Sequence, residues 1–302
     1  MKNNKLLTIV ILVIDQDKKL FKLIDTLSNS SYKNIEIIIV DNSGELNVSE
    51  LIKRKFPKIN LFKMPRNVGI FGYNIGFTNS KGKYVVVLDD DCAIEKSTLE
   101  QIVEYFDRQK KEVGILTFNV CNPFTKRYEY SHYNLKSLIV SSFAGGACAF
   151  RRDIFEKIGY YDDSFFLWGH EDDLALRAMD KGYKIHFVKD IIIEHYNKDI
   201  KIRPKKLFLT FRNKAWLNIK HFSLWLWPLH ILRDFSFIIS PHKGNSYSKK
   251  VFYSFLGYIV GYLLFFIPLS KRKVVSFSVQ KKFLKHYLLG RYEDKIKILE
   301  KI

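Results

Sequence analysis

The chain has 302 residues, 47% hydrophobic and 15% aromatic, with a formal net charge of +19. This apolar content excludes a disordered chain, and the length allows one large domain, or a domain with an appendage, around a substantial core. Three cysteines, Cys92, Cys121 and Cys148, form no CxxC pair; they exclude a disulfide framework and fit a reducing compartment.

Leu6–Ile14 reads as a first strand. Acids follow it and no small-residue cleavage site appears, so no cleavable signal peptide is expected. Asp17–Asn29 reads as a helix burying Leu20, Phe21, Ile24 and Leu27. Ile35–Val40 is a second strand ending in the turn Asp41-Asn42-Ser43-Gly44. A helix over Leu46–Phe56, a strand over Ile59–Met64 and a helix over Phe71–Ser80 follow. Next comes Tyr84-Val85-Val86-Val87-Leu88-Asp89-Asp90-Asp91. Its β-branched run is that of a strand buried on both faces, as inside a parallel sheet. It ends in three carboxylates, which repel one another unless a cation sits among them. On a strand Asp89 and Asp91 share a face. Two hard oxygen ligands there suit Mg²⁺ or Mn²⁺ carrying substrate phosphates, at the sheet edge where open α/β folds bind ligands. Ser97-Thr98-Leu99-Glu100 has the form of a capping box for a helix to Arg108, and Val113–Phe118 is a further strand. The rhythm predicts an α/β fold with a mostly parallel, Rossmann-like sheet and flanking helices.

Asn119–Leu138 reads as a loop or edge hairpin, and Gly145-Gly146 as a place where backbone approaches a ligand. Ile154–Ile158 is a short helix. Phe165–Gly169 sets large aromatics beside a glycine. Glu171-Asp172-Asp173 opens a helix to Lys181, where carboxylates also suit the helix dipole. Tyr183–Val188 and Ile191–His195 read as two short strands. Residues 198–302 hold 22 Lys and Arg against 5 Asp and Glu, a balance of +17, while the other 197 hold 28 against 26, a balance of +2. The basic part contains aromatic Phe222–Leu232 and an uncharged run Val251–Leu269, flanked by Lys249-Lys250 and Lys271-Arg272-Lys273. That run is at the lower limit for a bilayer span, and cations on both flanks oppose a crossing. Helices lying in the interface of an anionic membrane are expected instead.

Val40-Asp41-Asn42-Ser43, Arg66-Asn67-Val68-Gly69 with Asn74 and Gly76, Asp89-Asp90-Asp91, Gly169-His170-Glu171-Asp172-Asp173 and His195 occur in that order. The set resembles the family 2 inverting glycosyltransferases of the GT-A fold, closest to the rhamnosyl- and galactofuranosyl-type branch. It covers about Leu6 to Asn218, including Phe211-Arg212-Asn213. It departs where the family often has a Thr-Tyr-Asn type turn and this chain has Ile14-Asp15-Gln16-Asp17. The resemblance implies a nucleotide-sugar-binding half (1–118) and an acceptor-binding half (119–218), and the charge and aromatic runs beyond them read as a basic helical membrane-associating segment (219–302). It implies that Asp41, Arg66, Asn67, Asp89 and Asp90 face the nucleotide, and that Asp89, Asp91 and His195 hold Mg²⁺ or Mn²⁺. Asp172 would be the general base, with Trp168, His170 and Glu171 on the acceptor side. The implied donor is a UDP- or dTDP-sugar. The implied acceptor is a lipid-linked or membrane-proximal glycan at the cytoplasmic face of the membrane. A polyprenyl-phosphate glycosyltransferase would need cations rather than a carboxylate at the acceptor. A non-catalytic nucleic-acid-binding protein could use the tail's charge, but long uncharged aromatic runs suit lipid better than a phosphate backbone.

Overall fold

The computed structural model describes residues 5–14, 18–44, 48–128, 138–196, 203–240 and 247–285. The departing turn Asp15-Gln16-Asp17, part of the Asn119–Leu138 loop and the end of the basic tail lie outside these residues. The first elements are β1 (Leu7–Val13), α1 (Lys18–Ser28), β2 (Ile35–Asp41), α2 (Val48–Lys55) and β3 (Asn60–Lys63). A 3-10 turn at Gly69–Phe71, α3 (Gly72–Asn79) and β4 (Tyr84–Asp89) complete this half. β1 is buried throughout, and α1 buries Leu20, Leu23, Ile24 and Leu27 against the sheet, the spacing of one helical face. Gly72 and Gly76 let α3 lie directly on β1: a Cβ at either would stand 2.4 Å from Leu12 or 2.2 Å from Val10.

The chain continues through β5 (Cys92–Ala93), α4 (Thr98–Arg108), β6 (Val113–Asn122), β7 (Arg127–Tyr128), β8 (Ile139–Val140) and β9 (Ala147–Arg151). Then come α5 (Ile154–Ile158), α6 (His170–Asp180) and β10 (Lys184–His195). The sheet order is β3-β2-β1-β4-β9-β6-β10-β5, with β7 on β6 and β8 on β10. The pairs joining β3, β2, β1 and β4 are parallel. Beyond β4 the expectation of a mostly parallel sheet gives way to a mixed one. β9 runs antiparallel to both β4 and β6, while β6 and β10 are parallel. The two short strands expected between Tyr183 and His195 are one strand, β10, irregular between Val188 and Ile192. The expected capping box does not form. Ser97 makes no side-chain cap, the Thr98 hydroxyl accepts from the Glu95 N–H, and Glu100 accepts from Ser31.

The C-terminal part comprises α7 (Pro204–His221), a 3-10 turn at Leu224–Leu226, α8 (Trp227–Ile239), α9 (Tyr247–Leu263) and α10 (Phe266–Ser270). It is not an appended tail. Trp216, Leu217, Phe222, Val275, Val279 and Phe283 share one core cluster with Phe165, Leu176 and Met179 of the body. The boundary drawn at residue 218 falls inside α7. The uncharged run Val251–Leu269 is broken at Leu264-Phe265 into α9 and α10, and no helix among the described residues is long and apolar enough to cross a membrane. α9 lies against α7 through glycines one turn apart: a Cβ at Gly257 would stand 2.2 Å from the Phe208 carbonyl oxygen, and one at Gly261 2.8 Å from that of Arg212.

Candidate functional site

β4 ends at Asp89, and Asp90 and Asp91 form the turn into β5. Asp89 and Asp91 are therefore not alternate residues of one strand. They converge because the turn doubles back, and because β5 pairs with the end of β10, setting Cys92 opposite His195. His195 Nε2 stands 3.1 Å from Asp91 Oδ1 and 3.9 Å from Asp89 Oδ2, and one atom from each of the three residues lies within 4.8 Å of the others. Around an octahedral Mg²⁺-sized ion, adjacent ligands stand about 3 Å apart and opposite ones about 4 Å. The 3.1 and 3.9 Å spacings fit such an ion, and the two carboxylates are donors that suit Mg²⁺ or Mn²⁺.

Asp89 is held in place by its neighbours. The Tyr73 hydroxyl donates to Asp89 Oδ1 at 2.7 Å, and the Asp89 N–H donates to the Gly146 carbonyl. A Cβ at Gly146 would fall 1.9 Å from Asp89 Oδ2, so the strand β9 can lie beside this carboxylate only through a glycine. Desolvation pushes the Asp89 carboxyl above the ordinary carboxylate range, while His195 and the Tyr73 hydroxyl pull it back. Asp90 accepts from the Ile14 N–H at the end of β1, and Lys19 of α1 approaches Asp91 at 4.0 Å.

On the expected nucleotide side, Asp41 is fully buried. Its two oxygens accept from the N–H and hydroxyl of Ser43 and from those of Ser49. These four bonds fill the carboxylate's acceptor capacity. Asp41 thus fastens the loop between β2 and α2. Asn42 ties that loop to the next: its amide donates to Asn67 Oδ1 and the Gly69 carbonyl and accepts from the Val68 N–H. Arg66 and Asn67 remain exposed at the surface. Asn74, in the family-like set, pins the Tyr161 backbone through both its N–H and its carbonyl.

The expected acceptor side lies in the loop before α6. Trp168 has φ 60° and Gly169 φ 81°; a tryptophan in this left-handed region is strained and is held there by its surroundings. The holder is Asn213 of α7, fully buried, whose amide donates to the carbonyls of Leu167 and Trp168. Lys206 sits 5.1 Å above the Trp168 ring. His170, expected beside the acceptor, is instead buried, edge-on to Tyr161. Burial depresses its pKa to about 4, so it is neutral at physiological pH.

The acidic trio divides three ways. Asp173 is fully buried and paired with Arg177, Lys220 and His221. These partners outweigh the cost of burial and hold its carboxyl well below the usual range, so it is a structural anchor. Glu171 lies where a Cβ on Gly145 would meet it at 2.7 Å. Burial raises its pKa to about 7, against backbone hydrogen bonds at the helix start. Asp172 accepts from the Ser142 hydroxyl at 2.6 Å, and burial raises its pKa while Ser142, Lys214 and Arg233 oppose the rise. Consecutive glycines thus join the two sides, Gly146 against Asp89 and Gly145 against Glu171. Sequence reasoning missed Tyr73 and Ser142, since neither residue type marks a site by itself, although Tyr73 adjoins Asn74 of the family-like set.

The profile described as Glycosyl transferase family 2 matches residues 8–159, and one described as N-terminal domain of galactosyltransferase matches residues 122–199. A Methanococcus voltae dolichyl N-acetyl-α-D-glucosaminyl phosphate 3-β-D-2,3-diacetamido-2,3-dideoxy-β-D-glucuronosyltransferase is 22% identical, over 75% of this chain and 78% of its own. An uncharacterized glycosyltransferase of Methanocaldococcus jannaschii is 24% identical, over 71% and 81%. Among solved structures, the mannosyltransferase PcManGT of Pyrobaculum calidifontis in complex with GDP-Man and Mn²⁺ superposes with TM-score 0.55 and 14% identity, over 96% of this chain and 86% of that one. GalNAc-T7 with UDP, GalNAc and Mn²⁺ gives TM-score 0.60 at 14% identity, over 85% of this chain and 55% of that one, and S. aureus TarS is covered to only 39%. At these identities the structural likeness shows a shared fold.

Proposed function

The chain belongs to glycosyl transferase family 2, and from that premise we propose that it is a metal-dependent inverting glycosyltransferase. In this reading it moves a sugar from a nucleotide-diphosphate donor to a hydroxyl of a lipid-linked glycan. The observation that carries the proposal is the convergence of Asp89, Asp91 and His195 on one side of the Gly145-Gly146 turn, with Glu171 on the other. Asp89, Asp91 and His195 would hold Mg²⁺ or Mn²⁺. Such an ion would stabilise the negative charge that develops on the departing diphosphate. Arg66, Asn67 and Asp90 would border the nucleotide, with Asp41 acting behind them by shaping the loop that carries Asn42. Asp172 takes the proton of the acceptor hydroxyl. The freed oxygen attacks the anomeric carbon, the sugar–phosphate bond breaks, and its electron pair leaves with the nucleoside diphosphate. One base and in-line attack invert the anomeric centre without a covalent intermediate.

A lipid-linked acceptor is supported by the name of the Methanococcus voltae relative and by the apolar surface described below. The proposed donor is a UDP- or dTDP-sugar. Glu171 is the second candidate for the base, because a carboxyl titrating near neutrality is well matched to proton abstraction. Asp172→Asn is expected to lower transfer by roughly 10²–10⁴-fold while donor affinity stays within a few-fold. Glu171→Gln, assayed in parallel, should cost much less. The reverse pattern would move the base to Glu171, and nucleotide affinity unchanged by EDTA in the wild type would remove the metal from the mechanism.

A further inference from the structure

The C-terminal helices are built with their polarity inverted. Toward the protein, α8 buries His230, Arg233, Asp234 and Ile238, and α9 buries Lys250, Ser254, Gly257, Tyr258 and Gly261. Outward they present Leu229, Leu232, Phe235 and Ile239 from α8, and Phe252, Phe255, Leu256, Ile259 and Leu263 from α9. The outward residues recur at intervals of three and four, so each helix shows solvent one continuous apolar stripe. Trp225, Phe266 and Phe277 extend the surface; Leu232 and Leu263 are each 68% exposed and Trp225 62%. In water the hydrophobic effect drives the opposite arrangement, with apolar groups inside, since fully burying one Leu or Phe is worth about 1.5–3 kcal/mol. The polar interior also has a cost. Both ring nitrogens of His230, one Asp234 oxygen and the Ser254 hydroxyl are buried without a hydrogen-bond partner. An arrangement with polar and small residues inside and large apolar residues outside suits a hydrocarbon solvent.

We propose that the outward stripes of α8, α9 and α10, with Trp225, form a face that inserts into one leaflet of an anionic bilayer. The charge of the region matches that partner: the C-terminal 105 residues carry a balance of +17, and exposed Lys249 and Lys273 flank the apolar surface. No described helix is long and apolar enough to cross, so the face enters from one side. α9 rests on the α7 backbone through Gly257 and Gly261, and α7 carries Asn213, which grips the acceptor loop at Leu167 and Trp168. One helix layer therefore separates the lipid-facing surface from the acceptor loop. This placement rests on the proposed lipid-linked acceptor and gives it a route to the site.

The test uses the full chain and vesicles of phosphatidylcholine with phosphatidylglycerol, without donor or metal. Binding should persist at high salt, and lipids brominated on their acyl chains should quench tryptophan fluorescence in wild type but much less in Trp225→Phe. The triple variant Leu232→Asp, Phe255→Asp, Leu263→Asp should bind vesicles at least about a hundredfold more weakly, since an acid in hydrocarbon costs a few kcal/mol. Its thermal midpoint should stay near wild type, because all three side chains are exposed. Binding abolished by salt with no bromine quenching would overturn the inference in favour of a purely electrostatic contact. A lipid-free dimer that the triple variant splits would overturn it in favour of a second copy of the chain. Donor affinity measured on the same variants keeps the two readings apart: intact insertion without donor binding would sink the enzymatic proposal alone.

Discussion

At the scale of single residues, two positions set the site's tolerance. Gly146 has no room for a methyl group, because its Cβ would lie 1.9 Å from an Asp89 oxygen. Gly146→Ala is expected to displace that carboxylate and to weaken metal-dependent donor binding by tenfold or more, with the fold retained. Calorimetric titration of the nucleotide, with and without Mn²⁺, checks this; unchanged affinity would mean that Asp89 does not serve the donor. Glu171 makes a prediction about pH. Its carboxyl keeps its proton to about pH 7 in the folded chain, against an ordinary value of 4.5. Between these values the folded state binds more protons than the unfolded one, so stability falls as pH rises, by at most about 1.4 kcal/mol per unit. Glu171→Gln removes this slope. Its melting temperature should gain on wild type as pH rises through that window, and parallel melting profiles would show that Glu171 ionises normally.

Among elements, the α7–α9 contact is the sharpest case. Gly257→Ala should raise helix propensity by about 1 kcal/mol, yet its methyl group would stand 2.2 Å from a backbone carbonyl. Backbone cannot swing aside as a side chain can, so a net loss of about 1–3 kcal/mol is expected. A lower denaturant midpoint checks this; a higher one would mean that the helices are not in contact there. The same helices mark what the sequence made legible. β1, α1 and β4 could be read because their apolar pattern is local and matches their period. The antiparallel course of β9 could not, since Ala147–Arg151 is a short apolar strand with nothing nearby to state its direction. The meeting of Asp89, Asp91 and His195 followed from the resemblance, but its means did not. A turn and the two-residue strand β5 bring the groups together, not the alternation of a strand. Asp173 looked like a helix-capping acid because its partners Lys220 and His221 arrive from α7, far along the chain. The break of the uncharged run at Leu264-Phe265 is likewise a tertiary feature.

For the molecule as a whole, ion pairs bind the C-terminal helices to the catalytic body. Lys220 bridges Asp162 and Asp173, Lys271 reaches Asp162 and Asp163, and the Arg272 guanidinium caps the carbonyls ending α7. Asp173→Asn would leave Lys220 and His221 buried beside a neutral amide, and a loss of about 3–5 kcal/mol is expected. Both Asp162 and Asp173 have carboxyls held below their ordinary range. The stability they supply is present above their unfolded pKa and is lost as pH falls toward the folded values. Wild type should therefore be acid-labile, and Asp173→Asn should show a shallower acid limb in melting curves between neutral and low pH; identical limbs would count against the network. Cutting the chain at residue 222 would strip Val275, Val279 and Phe283 from Trp216 and Leu217. Loss of folding is the expected result, measurable by circular dichroism, so membrane release is properly tested with surface substitutions.

The pairing of β5 with the end of β10 also bears on the order in which the protein comes into being. As the chain leaves the ribosome, Asp89 and Asp91 emerge long before His195, and the β4 edge beside them has no neighbour until β9 is made. The carboxylates cannot gather with the imidazole until the whole of α6 has been synthesised, because α6 precedes β10. A nascent chain thus completes α6 before the three groups can meet.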